Sequence, residues 1–172
     1  MRAPALALVC LLLVGCGATG ANKLSQAQTT HEYPSPPPPS QTTSNASPDA
    51  IGAIRTFAQA YINWTADTVA AKMRTLAAQS VGQARAAMEL AAGQTAGDYE
   101  LQRGGIANSG TVEAIAPLFG HRDRYVVVTR EHTTATNTAA YQGLRPAWHL
   151  ALATVVELSP GRWVLSGWQP EN

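Results

Sequence analysis

Apolar residues recur every three or four positions from residue 48 to residue 64, as in a helix with one buried face. A first helix is therefore predicted over 48–64. Ser47 is suited to cap this helix, Pro48 to occupy its first turn, and Asp49 to meet the positive end of its dipole. The face predicted to be buried comprises Ile51, Ile54, Phe57, Ala58, Tyr61 and Ile62.

The same spacing continues beyond this helix and predicts two more. A cap within 65–67 precedes the second helix, and Ser80 caps a third, alanine-rich helix over 81–96. Alanine on the inner face of the third helix lets it lie close to a sheet. The buried positions predicted for these two helices are Val69, Met73, Leu76, Ala77, Val81, Ala84, Met88, Ala91 and Ala92.

After Gly104 and Gly105 the pattern changes to alternation, and threonine, valine and aromatic residues become common. The two glycines are interpreted as a helix-to-strand turn, and the sequence S-P-G at 159–161 as the turn of a hairpin. Three helices followed by such strands predict an α+β domain, with the helices packed on one face of a curved four-stranded antiparallel sheet. The strands are predicted over 106–118, 124–135, 145–158 and 162–169.

The third predicted strand is apolar on both faces, because large and small apolar residues alternate along it. It is therefore predicted to be a central strand that is covered by the helices on one side and by something else on the other. One face carries Trp148, Leu150, Leu152, Thr154, Val156 and Leu158. The other face carries Ala147, His149, Ala151, Ala153, Val155 and Glu157.

The N-terminus carries an apolar run over 3–14, about as long as the core of a signal peptide and shorter than the ~20 residues of a membrane-spanning helix. The run ends in L-V-G-C, which resembles the lipobox of bacterial lipoproteins. That resemblance implies a signal peptide over 1–15, lipid such as palmitate on Cys16, and a location on the extracytoplasmic face of the cell membrane. Ordinary secretion and an uncleaved anchor are the alternatives.

Residues 16–47 are rich in serine, threonine, glutamine and proline and hold few large apolar side chains. Such a segment cannot bury enough surface to offset the entropy of ordering it, so a disordered tether is predicted. The prolines at 36–39 favour a stiff polyproline stretch. The segment is interpreted as a stalk between the lipid and one globular domain over 48–172. A proline-rich docking site for a partner is the alternative.

Composition excludes several kinds of site. Cys10 and Cys16, the only cysteines of the chain, lie in the signal peptide and at the lipid site, so the domain has no disulfide or thiol chemistry. Without Arg2 the chain has eleven basic and eleven acidic residues, which argues against nucleic acid as a partner. The histidines match no metal signature, no serine lies in a G-x-S-x-G sequence, and no cofactor is expected.

The order of the predicted elements resembles the cystatin-like cone of the nuclear-transport-factor-2-like superfamily. The first two helices further resemble extracytoplasmic domains of conjugation proteins of the TcpC type, which pair an F-A-x-x-Y helix with a W…M-x-x-L-A helix. The resemblance covers about 51–168, and the lipid anchor replaces the transmembrane helix that is usual in those proteins. The matching positions are Phe57, Ala58, Tyr61, Trp64, Met73, Leu76 and Ala77.

Isomerases and cyclases of that superfamily use an inward acid with tyrosine or histidine partners. The resemblance implies that such groups of this chain would lie inside the cone. Because Arg130, Glu131 and His132 are consecutive on a strand, at least one of them must point outward, and a solvated edge strand is the alternative interpretation. Trp163 and Trp168 are five residues apart, so one is predicted in the core and the other on an exposed face. The candidates for a pocket or an interface are Tyr61, Trp64, Glu131, His132, His149 and Trp168.

Two functions fit a chain with these features. The preferred one is a non-enzymatic interaction or assembly module of the cell envelope, tethered to the membrane, that binds itself or another envelope protein in a conjugation or secretion assembly. It rests on the lipid anchor, the spacer and the apolar second face of the sheet. The alternative is a domain that binds a small molecule, or acts as an isomerase or cyclase, in the cone. A pocket of a few hundred Å³ lined by the candidates would favour it.

Overall fold

The computed structural model describes residue 43 and residues 45–171, which lie in one compact unit. The predicted signal peptide, the lipid site at Cys16 and most of the predicted tether lie outside the described residues. Helices in the described part are α1 (Ala50–Ile62), α2 (Val69–Ala78), α3 (Gly82–Ala96) and α4 (Tyr99–Gly104), with a 3-10 turn at Ala139–Tyr141. The strands are β1 (Trp64–Thr65), β2 (Ile106–Pro117), β3 (Arg124–Ala135), β4 (Ala147–Ser159) and β5 (Arg162–Glu171).

The strands form one strongly curled antiparallel sheet in the order β1-β2-β3-β4-β5, and the helices pack against it. The predicted α+β class is therefore confirmed. Three elements were not predicted: β1, α4 and the 3-10 turn. β1 has only two residues, too few to show alternation, and it exists because Trp64 and Thr65 pair with Asn108 and Ala107 of β2. It raises the number of strands from the predicted four to five.

None of the three predicted helix caps lies where the sequence placed it, and the cap of α2 is Thr68, one residue after the predicted 65–67. Asp49 is the cap of α1, since its carboxylate accepts a hydrogen bond from the amide of Gly52 at 2.7 Å, and Ser47 lies two residues further out. Ser80 does not cap α3, because its hydroxyl donates to the carbonyl of Leu76 at 2.6 Å and the helix begins only after Val81. At α1 and α3 the predicted serine lies one or two residues before the residue at which the helix is capped.

Ser47, which the sequence analysis placed at the end of the tether, lies against the edge of the sheet. Its amide donates to the carbonyl of Trp163 at 2.9 Å, and the amide of Trp163 donates to the carbonyl of Ser47 at 2.8 Å. The chain therefore enters the folded domain along the outer edge of β5.

The core lies between the helices and the concave face of the sheet. Ala151, Ala153 and Val155 of β4 are buried there, as the sequence predicted, and their small size lets α1 pack directly on β4 and β5. The predicted buried stripe of α2 is confirmed. The largest fully buried apolar side chains are Ile54, Ile62, Leu76, Leu165 and Val127.

The two tryptophans of β5 do not point to opposite faces. Trp168 is buried in the core, and Trp163 is half-buried and packs against the same core. Leu165 and Gly167 pair with consecutive residues of β4, so Ser166 is an extra residue that forms a bulge. The bulge moves the alternation by one position and returns both indoles to the inner side. The prediction that one of them lies on an exposed face is therefore wrong.

Candidate functional site

Five of the six candidate residues meet at one cleft on the inner side of the sheet. A cavity of about 320 Å³ is lined by Tyr61, Trp64, Glu131 and His149, among others. A smaller recess of about 130 Å³ shares three of these residues and adds Trp168. We call the cavity and its recess the cleft. These residues lie on α1, β1 and three different strands, and only the curl of the sheet brings them together.

Glu131 is the acidic group of the cleft. Its two carboxylate oxygens accept hydrogen bonds from the amide of Asn108 at 2.7 Å and from the hydroxyl of Thr129 at 2.6 Å. β3 is the middle strand of the sheet, so the interpretation of 130–132 as a solvated edge strand is wrong. Strand alternation instead turns Glu131 inward, and its neighbours on both sides turn outward.

Asn108 holds this carboxylate in place. The side chain of Asn108 is buried, and its amide also donates to the carbonyl of Ile62 at 2.9 Å. Its oxygen accepts a hydrogen bond from the hydroxyl of Thr133 at 3.1 Å. Neither Asn108 nor Thr133 was predicted from the sequence. The available signal was an asparagine inside a strand, a position where this residue type is uncommon.

An aromatic wall closes one side of the cleft. The ring centroids of Tyr61 and Trp168 are 5.4 Å apart in an edge-on arrangement, and Phe57 lies 5.2 Å from Trp168 behind them. Such contacts are favourable because the positive edge of one ring meets the negative face of another. The wall therefore presents a rigid, partly polar surface to the cavity.

Burial raises the pKa of the Tyr61 phenol above its ordinary value of 10.0, and the negative charge of Glu131 acts in the same direction. The indole N–H of Trp168 is close enough to oppose this shift of the pKa, yet it forms no hydrogen bond of good geometry with any described residue. The phenol thus stays neutral at physiological pH and can donate a hydrogen bond. The buried indole N–H is a donor without a partner in the described part of the chain.

The floor of the cleft is apolar. Val69 and Met73 of α2 are each 3 % exposed and lie beneath the opening, while Ala91 and Thr95 of α3 form the far wall. Trp64 of β1 is half-buried at the edge. An apolar floor with a few convergent polar groups is typical of a site for a small organic molecule.

His132 does not belong to the cleft. It points to the other side of β3, where its Nε2 atom lies 2.9 Å from the carbonyl oxygen of Leu144. His149 is exposed at the rim of the cleft. Within residues 43 and 45–171, no three histidine, cysteine or acidic side chains are grouped so as to hold a metal ion. Nor does any helix in that part have the length and apolar character needed to cross a membrane.

The opposite side of the sheet is a second candidate surface. We call it the outer face, and its centre is formed by Trp148, Leu150, Leu152 and Val156 of β4 with Val126 and Val128 of β3. Trp148 is 62 % exposed and Leu150 is 48 % exposed. β4 is thus an interior strand, as predicted, but its outer side is exposed, contrary to the prediction that both sides are covered.

Charged residues of both signs surround the outer face. The guanidinium of Arg130 lies 5.8 Å from the centre of the Trp148 ring, a cation–π contact. Glu171 is the cross-strand partner of Leu150, and Glu113 accepts a hydrogen bond from Thr111, the partner of Arg130. The exposed aromatic residue of the sheet is therefore Trp148, not one of the tryptophans of β5.

No protein-family model matches the chain, and no curated protein sequence is significantly similar to it. The fold itself is consistent with a cone-like domain, in which helices fill the inside of a curled antiparallel sheet.

Proposed function

We propose that the protein is a non-enzymatic interaction module of the cell envelope. In this proposal, lipid on Cys16 holds it to the extracytoplasmic face of the membrane, and the outer face binds a second copy of the chain. The membership of the cone superfamily and the likeness to conjugation proteins of the TcpC type are part of the same proposal. They support a role in a conjugation or secretion assembly.

The observation that carries the proposal is the exposure of Trp148 and Leu150 at the centre of an apolar sheet face. Soluble monomers rarely expose contiguous apolar patches larger than a few hundred Å², and patches above that size mark protein–protein contacts. Two sheets that pack face to face bury such side chains in a shared layer about 10 Å thick.

A second copy suits the outer face because the face is complementary to itself. Apolar side chains occupy its centre, and its margins carry Arg130 together with Glu113 and Glu171. In a two-fold dimer the same patch meets itself, so the basic margin of one copy can lie opposite an acidic margin of the other. A face with charges of one sign only would repel its own copy.

The test is the oligomeric state of the full chain in nonionic micelles, measured by sedimentation equilibrium. We expect a dimer, and we expect Leu150→Lys to raise the dimer dissociation constant at least about tenfold, or ~1.4 kcal/mol. Leu90→Lys is the matched control, because Leu90 is 63 % exposed on α3, away from the outer face. A monomer at every concentration, or equal effects of both variants, would contradict the proposal.

The anchor is tested separately with Cys16→Ser. The lipid needs this sulfur, so we expect the variant to leave the membrane fraction when cells are broken, whereas the unchanged chain stays with membranes. The variant would refute the anchor if it remained membrane-bound after signal cleavage. The conjugation setting predicts that donor cells without this chain transfer DNA less often, and an unchanged transfer frequency would contradict it.

A second candidate function, small-molecule binding or isomerase-like chemistry, is favoured by the cleft. Tyr61, Glu131 and His149 line one cavity of about 320 Å³, within the usual range of ligand sites. A search for turnover or binding at the cleft separates this function from the first, since the outer face lies on the opposite side of the sheet.

A further inference from the structure

We propose that the cleft binds a small organic cation, an amine-bearing compound with an apolar or aromatic body, and that Glu131 is its counter-ion. The inference rests on the second candidate function and gives it a ligand class. It does not depend on the outer face.

Charge is the first argument. The residues that line the cavity and its recess include the inward carboxylate of Glu131 and neither lysine nor arginine. Glu171, at the end of the recess, is the cross-strand partner of Leu150 and belongs to the outer face. Among the lining residues, only His149, at the exposed rim, can also carry a positive charge. An anionic ligand would meet like charge in the cleft with no fixed cation to balance it, whereas an ammonium group would meet a carboxylate.

The position of Glu131 is the second argument. Each of its oxygens already accepts one hydrogen bond, from Asn108 or from Thr129, and each has a further lone-pair site. These two donors fix the carboxylate without neutralising it, because both are uncharged side chains. An acid that is held in place but has no ion-pair partner among the described residues is suited to receive a cation.

The walls are the third argument. Tyr61, Trp64 and Trp168 place aromatic rings around the carboxylate, and ring faces attract ammonium groups. Beneath them, Val69 and Met73 are buried and offer an apolar surface to the body of the ligand.

Three probes of similar size test the ligand class on the unmodified full chain in nonionic micelles: benzylamine, benzyl alcohol and benzoate. The readout is the indole N–H signals in a nitrogen–proton correlation spectrum, because the chain has four tryptophans and two of them line the cleft. We expect benzylamine to shift the signals of Trp64 and Trp168 and to leave that of Trp148 unchanged. We expect the alcohol and the acid to bind at least about tenfold more weakly.

Two variants identify the counter-ion. Glu131→Gln keeps the size of the side chain and removes its charge, and we expect it to weaken benzylamine binding at least about tenfold. Glu89→Gln removes the same charge from an exposed position on α3, outside both the cleft and the outer face, and is expected to bind benzylamine as the unchanged chain does. The indole signals of each variant without probe report whether it is folded.

Several results would overturn the proposal. Equal affinity for benzylamine and benzyl alcohol would refute a cation site while leaving small-molecule binding intact. If no probe shifts an indole signal, both the cation site and small-molecule binding at the cleft are refuted. Shifts confined to Trp148 would place binding on the outer face. The comparison of the three probes needs no variant, so it decides the ligand class even if Glu131→Gln does not fold.

Discussion

Asn108 and Glu131 are joined by a hydrogen bond of 2.7 Å, from the side-chain amide of one to the carboxylate of the other. The same amide donates to the carbonyl of Ile62 at the end of α1. One side chain of β2 therefore holds both the end of a helix and the acidic group of the cleft, so the geometry of the site depends on a residue that lies beneath it.

We expect Asn108→Ala to destabilise the protein by about 1–3 kcal/mol. The change leaves the carbonyl of Ile62 and one oxygen of Glu131 without this donor in a buried region. Urea unfolding followed by far-ultraviolet circular dichroism measures the effect. Asn137→Ala is the matched control, because Asn137 is exposed, and it is expected to change the free energy of unfolding by less than about 0.5 kcal/mol. Equal effects would show that the buried amide is not needed.

Alanine in place of glycine should have opposite effects at two positions. A methyl group on Gly110 would lie 2.6 Å from the carbonyl oxygen of Arg130, so Gly110→Ala is expected to cost roughly 1–3 kcal/mol. At Gly93, inside α3, no atom beyond the adjoining helix backbone lies within 4 Å of that methyl group, and Gly93→Ala is expected to stabilise the protein by about 0.5–1 kcal/mol. Thermal or urea unfolding of both variants measures the sign of each change in stability. Stabilisation by Gly110→Ala would contradict the close approach of β2 and β3.

The cap of α1 predicts that substitution of Asp49 lowers the free energy of unfolding more than substitution of Ser47 does. Asp49→Ala removes the hydrogen bond to the amide of Gly52 and is expected to cost about 0.5–2 kcal/mol. Ser47→Ala leaves the two backbone bonds to Trp163 in place, so we expect a change of less than about 0.5 kcal/mol. If Ser47→Ala proved the more damaging in urea unfolding, the cap suggested by the sequence would be the real one.

Tyr61 predicts how stability changes at high pH. Its pKa in the folded protein lies above the ordinary value of 10.0, through burial first and the charge of Glu131 in addition. The unfolded chain therefore loses this proton at a lower pH than the folded chain, and the free energy of unfolding falls as pH rises through about 10. Tyr61→Phe should lose less stability between pH 9 and pH 11 (roughly the range in which tyrosine titrates). If the free energy of unfolding changed with pH in the same way in both proteins, the raised pKa of Tyr61 would be contradicted.

Much of the fold could be predicted because helix and strand periods are local properties. The helix spacing placed α1, α2 and α3 to within a few residues, and alternation located the four long strands. The misses have local causes too. β1 and α4 are too short to show a period, and the bulge at Ser166 reverses the alternation that a five-residue separation implies for Trp163 and Trp168.

The candidate site was predicted in part. Tyr61, Trp64, Glu131, His149 and Trp168 were chosen one by one for their chemistry, and the structure gathers them around one cleft. His132 was chosen on the same grounds and lies outside it, since it is next to Glu131 on the strand and points the other way. Asn108 was missed because a single polar residue in a strand has no period that distinguishes it.

By itself, the sequence determined the order and type of the long elements, the α+β class and the polar groups available for a site. These follow from spacing and composition, which act over a few residues. Only the tertiary structure decided that the cleft contains a held carboxylate and an indole N–H that no other described residue accepts from. It also decided that Trp148 and Leu150 are exposed on the far side of the sheet. Such facts depend on the curl of the sheet and on contacts between residues far apart in the chain, which no local pattern records.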